Sequence, residues 1–150
     1  MACSVLAPRR LHMGESSRRQ WVAAVVLIGV VYGLVGILFA APATHARAWR
    51  LAAWAVSGAV YATHIGYERL RLGASPRATA LHTAMAAAVG AFLLAVAATV
   101  HAMMVPSHAP YWLFLLALVV WPIITALPAF LVALAVAAAL ARLSAKRSAG

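Results

Sequence analysis

Four long apolar runs dominate this sequence and limit what it can fold into. They cover about Trp21 to Ala41, Ala48 to Tyr67, Thr79 to Met104 and Tyr111 to Ala141. Each run reaches the roughly 20 residues that a helix needs to cross the hydrocarbon core of a bilayer. Transmembrane strands are about half as long and alternate polar with apolar residues, which these runs do not. The pattern predicts an all-α integral membrane protein built as a four-transmembrane-helix bundle.

Composition agrees with this class. Hydrophobic residues make up 66% of the chain and charged residues only 9%, whereas a soluble domain is about 25% charged. The connections between the runs are short, which favours antiparallel neighbours. We therefore divide the chain into a basic N-terminal tail (1–20), a four-helix transmembrane domain (21–141) and a basic C-terminal tail (142–150).

Lysine and arginine are distributed unequally between the two predicted sides of the membrane. With a cytoplasmic N-terminus, ten of them fall on the inner side and two on the outer side. The inner ten are Arg9, Arg10, Arg18, Arg19, Arg69, Arg71, Arg77, Arg142, Lys146 and Arg147, and the outer two are Arg47 and Arg50. This asymmetry predicts both termini in the cytoplasm and a multi-pass protein of the cell inner membrane. Trp21, at the start of the first run, fits an interfacial anchor.

The net charge of +10 follows from the same distribution. Arginines at the inner face contact anionic membrane lipids, so lipids are the expected partners and nucleic acid is not. An export signal is the competing interpretation of the N-terminus, because Ser17 to Ala23 resembles a twin-arginine signal and Ala41 to Ala43 a cleavage site. The first run is longer than the apolar region of a signal peptide. We therefore favour an uncleaved first span, with cleavage left open.

Small residues form stripes that predict close helix packing. Gly29, Gly33 and Gly36 share one side of the first span, and Gly58, Ala62 and Gly66 share one side of the second. Small residues let helix backbones approach closely in lipid, where apolar contact gives little drive for association. We expect these stripes to pack within one bundle, with a homo-oligomer or a larger membrane complex as the open alternative.

The second run also carries a line of polar and aromatic side chains, which we call the polar seam. Its members follow one another at alternating spacings of four and three residues, so they form one line along a helix. They are Arg50, Trp54, Ser57, Tyr61, His64, Glu68 and Arg71. Polar groups inside a bilayer face protein or a water-filled cavity. The seam is therefore expected to face protein.

Glu68 is one of only two acidic side chains in the chain. It lies one turn beyond His64 and three residues before Arg71, so we expect it to accept a hydrogen bond from the histidine and to pair with the arginine. The pair His64 and Glu68 could handle a proton or a cation. The structural interpretation, which we favour, is that these polar groups are satisfied in the core and the arginines reach the two interfaces.

The histidines raise the question of a metal or a haem. His64 and His82 lie near the predicted inner side on helices joined by a short loop and are weak candidates for a metal site. A pair of haems would need aligned histidines on the third span. His82 and His101 are 19 positions apart, which on an ideal helix leaves them about 100° out of line. We therefore expect no metal and no cofactor.

The same sequence offers little for catalysis. Cys3 is the only cysteine, and no HExxH, CxxC, GxSxG, P-loop or GxGxxG pattern is present. We expect no catalytic residues and a non-enzymatic structural or accessory component of a bacterial-type inner membrane. The alternatives are a small proton- or cation-linked channel or transporter that uses the polar seam, and a b-type haem redox subunit.

Overall fold

The structure is a computed structural model that describes the backbone of residues 9–40, 45–105 and 110–148 and the side chains of 18–39, 45–105 and 110–146. Residues 1–8 of the predicted N-terminal tail, residues 149–150 of the C-terminal tail, the candidate cleavage site at 41–43 and His108 lie outside the described residues.

Four helices account for almost all of the described chain. They are α1 (Arg9–Ala40), α2 (Ala46–Leu70), α3 (Pro76–Met104) and α4 (Tyr111–Ser148). The prediction of an all-α, four-helix protein is confirmed for this part of the sequence. Helices α1 and α4 extend beyond the apolar runs into the basic segments assigned to the tails, and α4 continues across Pro122 and Pro128.

Three of the four helices are long and apolar enough to cross a membrane. The candidate spans are Arg18–Phe39 in α1, Pro76–Met104 in α3 and Tyr111–Lys146 in α4. Helix α2 is not among them, because the polar and charged side chains of the seam lower its mean hydropathy. The prediction of four spans is therefore supported for three helices only.

The turn between α2 and α3 is tight and locally encoded. Gly73 has a φ of 60°, in the left-handed region that favours glycine, and the backbone N–H of Ala74 donates to the carbonyl of Glu68 at 3.0 Å. The hydroxyl of Ser75 then caps α3 by accepting from the N–H of Ala78 at 3.3 Å, with Pro76 in the first turn. This turn brings the C-terminal end of α2 against the start of α3.

Helices α1 and α3 cross at two glycines. A Cβ on Gly29 would lie 2.6 Å from Cβ of Val89, and a Cβ on Gly90 would lie 2.5 Å from Cβ of Tyr32 and 3.0 Å from the carbonyl oxygen of Gly29. Such separations are shorter than carbon atoms tolerate. Only glycine fits at this crossing.

The other two small residues of the α1 stripe extend the same contact. Gly33 lies against Leu93 and Gly36 against Leu94. The partner's number rises with the number of the α1 residue, so α1 and α3 run in the same direction. This is the direction that alternating spans require.

The stripe on α2 has a different environment. A Cβ on Gly58 or Gly66 would meet no atom within 4 Å among the described residues, and Ala62 is exposed. Helix α2 instead buries Ile65, which packs with Ala80 of α3 and Ala133 of α4. The expectation that this stripe packs within the chain's own bundle does not match the described structure, because α2 turns its other side inward.

Candidate functional site

A buried carboxylate lies where α2 meets α3. The side chain of Glu68 has no exposed surface. Its Oε2 accepts a hydrogen bond from Nδ1 of His82 at 3.0 Å. A buried carboxylate is costly unless it is paired and hydrogen-bonded. Glu68 and His82 therefore form a tie between the two helices.

His64 contributes a second imidazole from α2 itself. Its Nε2 lies 3.8 Å from Oε1 of Glu68, which is within range of an ion pair but too long for a hydrogen bond. Within the described chain, neither ring nitrogen of His64 has a hydrogen-bond partner, and Oε1 of Glu68 has none either. The structure therefore does not show the expected hydrogen bond between His64 and Glu68, because the carboxylate turns toward His82 of α3.

The expected pairing of Glu68 with Arg71 is also not seen. Arg71 is exposed at the C-terminal end of α2, and the ion pairs of Glu68 with described residues are those to His64 and His82. The neighbouring Arg69 donates from its guanidinium to the carbonyl of Ala74 in the interhelical turn. Neither arginine is therefore among the ion-pair partners of Glu68 in the described chain.

Helix α1 closes the cluster with an aromatic ring. Trp21 stacks on His82, with ring centroids 4.5 Å apart and an angle of 2° between the ring planes. A cation over the face of a tryptophan is favourable, so this stack suits a protonated imidazole. Trp21 was expected only as an interfacial anchor. Its position at the start of the first span, at the same depth as His82, is the one signal that could have suggested this contact.

Two threonines of α3, close to His82 in the sequence, are also buried. Thr79 and Thr83 are fully buried, and the hydroxyl of Thr83 donates to the carbonyl of Thr79 at 2.8 Å. The Oγ1 atom of Thr79 has no hydrogen-bond partner in the described part of the chain.

The predicted seam divides into two parts. Tyr61 donates from its hydroxyl to the carbonyl of Ala129 in α4, and Ser57 is half-buried. Arg50 and Trp54, at the other end of the seam, are exposed. The expectation that the whole seam faces protein is corrected here, for a geometric reason. A seven-residue repeat drifts by about 20° per heptad on a straight helix, or about 60° over the seam.

The two other histidines with described side chains do not join this cluster. His45 and His101 are exposed. His64 and His82 both face Glu68. Among the residues that the structure describes, no group of three or more His, Cys, Asp and Glu is arranged to hold a metal ion.

The fold and the cluster define the chain as an all-helical protein with three helices apolar enough to cross a membrane and a cluster of Glu68, His64 and His82 where α1, α2 and α3 meet. Comparisons with protein-family models, with curated proteins and with solved structures find no match. Its function is therefore inferred from its own residues.

Proposed function

We propose that this chain is a four-span protein of a bacterial-type inner membrane that serves as a structural or accessory component without enzymatic activity. The observation that carries the proposal is the use of its buried polar groups as ties between helices. Glu68 of α2 binds His82 of α3, and His82 stacks on Trp21 of α1. Interhelical hydrogen bonds of this kind hold helices together in lipid, where apolar contact gives little drive.

The exposed surface supports a lipid environment. Large apolar side chains point outward from the three candidate spans, among them Leu27, which is 66% exposed, and Leu127, which is 65% exposed. A soluble monomer rarely exposes a continuous apolar surface of this extent. Membrane lipids are therefore the proposed partners, with Gly58, Ala62 and Gly66 left open for a second copy or a larger complex.

Helix α2 is the proposed fourth span. Its 25 residues extend over about 37 Å, which exceeds the roughly 30 Å of the hydrocarbon core. Its polar side chains at Tyr61, His64 and Glu68 turn toward the other helices, so they need not face lipid.

The proposed topology has a direct test. A reporter fused after Gly150 is expected to be active in the cytoplasm, since both termini are placed on the basic side. A reporter inserted between α3 and α4 is the matched control and is expected on the opposite side. An external location of the C-terminal reporter would contradict the topology.

A second function has one observation in its favour. His64 is 1% exposed, and neither its ring nitrogens nor Oε1 of Glu68 has a hydrogen-bond partner among described residues. Ionisable groups inside a membrane often mark proton and cation pathways. The alternative is therefore a small proton- or cation-linked channel or transporter that uses the inward part of the seam.

Flux through proteoliposomes distinguishes the two functions. The structural proposal predicts that the parent, His64→Ala and Glu68→Gln all give the proton and cation leak of protein-free vesicles. The transport alternative predicts flux in the parent that falls to this leak in both variants. His101→Ala, at an exposed position of α3, is the control and is expected to behave as the parent. Parent flux lost in the two cluster variants would overturn the structural proposal.

A further inference from the structure

The charges of the buried cluster do not balance unless it holds a proton. One carboxylate, Glu68, faces two imidazoles, His64 and His82. With both imidazoles neutral, a buried carboxylate has hydrogen bonding but no opposite charge, which is costly. With both imidazoles protonated, two positive charges face one carboxylate and repel each other. The favoured state has one protonated imidazole, which gives the cluster a net charge of zero.

The two imidazoles are not equivalent. Nδ1 of His82 lies 3.0 Å from the carboxylate, and its ring stacks on Trp21. Nε2 of His64 lies farther away, at 3.8 Å, and neither of its nitrogens has a hydrogen-bond partner in the described chain. A charged hydrogen bond and a cation–π contact both favour the cation on His82.

We propose that His64, Glu68 and His82 form a proton-binding site that holds one proton on His82 and ties α1, α2 and α3 together while that proton is bound. The proton comes from water and returns to water, forming and breaking only the N–H bond of the imidazole. The site goes beyond a purely structural role, because it makes the packing of three helices depend on pH. It does not require that the protein conduct ions.

The other ionisable groups around the cluster leave this balance in place. From α2, Arg69 binds the carbonyl of Ala74 and Arg71 is exposed. From α3, Thr79 and Thr83 carry no charge, and Arg77 is exposed. From α1, Trp21 carries no charge, and Arg18 and Arg19 are exposed. The phenol of Tyr61, also on α2, donates to the backbone carbonyl of Ala129 in α4. Glu68 is the only carboxylate among the described side chains.

The pH response follows from the single proton of the site. When that proton leaves His82, the carboxylate of Glu68 loses its opposite charge, so the tie is expected to weaken as pH rises.

Tryptophan fluorescence of the full chain in lipid nanodiscs tests the proposal. A protonated imidazole stacked on an indole quenches its emission, so the difference between the parent and Trp21→Phe isolates the signal of Trp21. We expect this signal to rise reversibly as pH increases and the proton leaves His82. The pH dependence is expected to be lost in His82→Gln and in Glu68→Gln. It should persist in His101→Gln, the matched exposed histidine of the same helix.

Two outcomes overturn the proposal. One is a flat parent-minus-Trp21→Phe difference, and this comparison does not require the cluster variants to fold. The other is a pH dependence that survives in His82→Gln, provided circular dichroism shows a parent-like helix content.

Infrared titration supplies an independent readout of the carboxylate. The chain has only two acidic side chains, so Glu15→Gln and Glu68→Gln assign their bands. We expect Glu68 to show the band of an ionised carboxylate at a pH where Glu15 is already protonated. If Glu68 gained its proton at a higher pH than Glu15, this would contradict a carboxylate paired with imidazoles.

Discussion

Replacing His82 with alanine is expected to lower the free energy of unfolding by about 3–5 kcal/mol, the typical cost of breaking a buried ion pair. The substitution removes the hydrogen bond to Glu68 and the stack on Trp21 in one step. Because Glu68 has no exposed surface, its charge cannot be compensated by water. Denaturant unfolding in detergent micelles, followed by circular dichroism, measures the effect.

A double-mutant cycle separates this effect from simple loss of packing. Glu68→Ala in the background of His82→Ala removes the unpaired carboxylate, so the double variant is expected to be more stable than His82→Ala alone. His101→Ala is the matched control and is expected to stay within about 0.5 kcal/mol of the parent, since His101 is exposed. If His82→Ala were as stable as this control, the cluster would not tie the helices.

Replacing Gly90 with alanine is expected to destabilise the protein by about 1–3 kcal/mol, the usual cost of overpacking. The added Cβ would lie 2.5 Å from Cβ of Tyr32 and 3.0 Å from the carbonyl oxygen of Gly29. Neither neighbour is the flexible end of a side chain, so the two helices must separate. This cost opposes the helix propensity of alanine, which favours the substitution by about 1 kcal/mol.

Gly58→Ala provides the matched control for Gly90→Ala. Both positions are helical glycines, but a Cβ on Gly58 meets no described atom within 4 Å. The substitution is expected to be neutral or to stabilise by up to about 1 kcal/mol. Equal unfolding free energies for the two variants would contradict a tight crossing of α1 and α3. A loss of stability in Gly58→Ala would indicate that a second copy or another protein covers this face of α2.

The small-residue stripes show how much of the helix packing could be predicted from the sequence. The spacing of Gly29, Gly33 and Gly36 showed that they share one side of a helix, and this side lies against α3. The same reasoning could not name α3 as the partner, because small residues are so frequent there that no single face stands out. It also could not distinguish this stripe from that of Gly58 and Gly66, which has no described neighbour within 4 Å.

The cluster around Glu68 shows that contacts along one helix can be predicted from spacing, whereas contacts between helices cannot. The spacing of His64 and Glu68 placed them on one line of α2. The neighbours chosen for Glu68 were those on its own helix, since sequence spacing reports only local geometry. His82, from the next helix, is the residue that forms the hydrogen bond. Trp21, from a helix more distant in the chain, stacks on that histidine.

The sequence by itself determined the helical class, the number of helices and the side of α2 that carries the polar seam. These depend on the length of apolar runs and on spacing along one helix, which are local properties. Only the tertiary structure decided which imidazole binds Glu68, which glycines mark a helix crossing and how much of the seam turns inward. Those depend on the rotation of each helix about its own axis, because a rotation of some tens of degrees exchanges one contacting side chain for another.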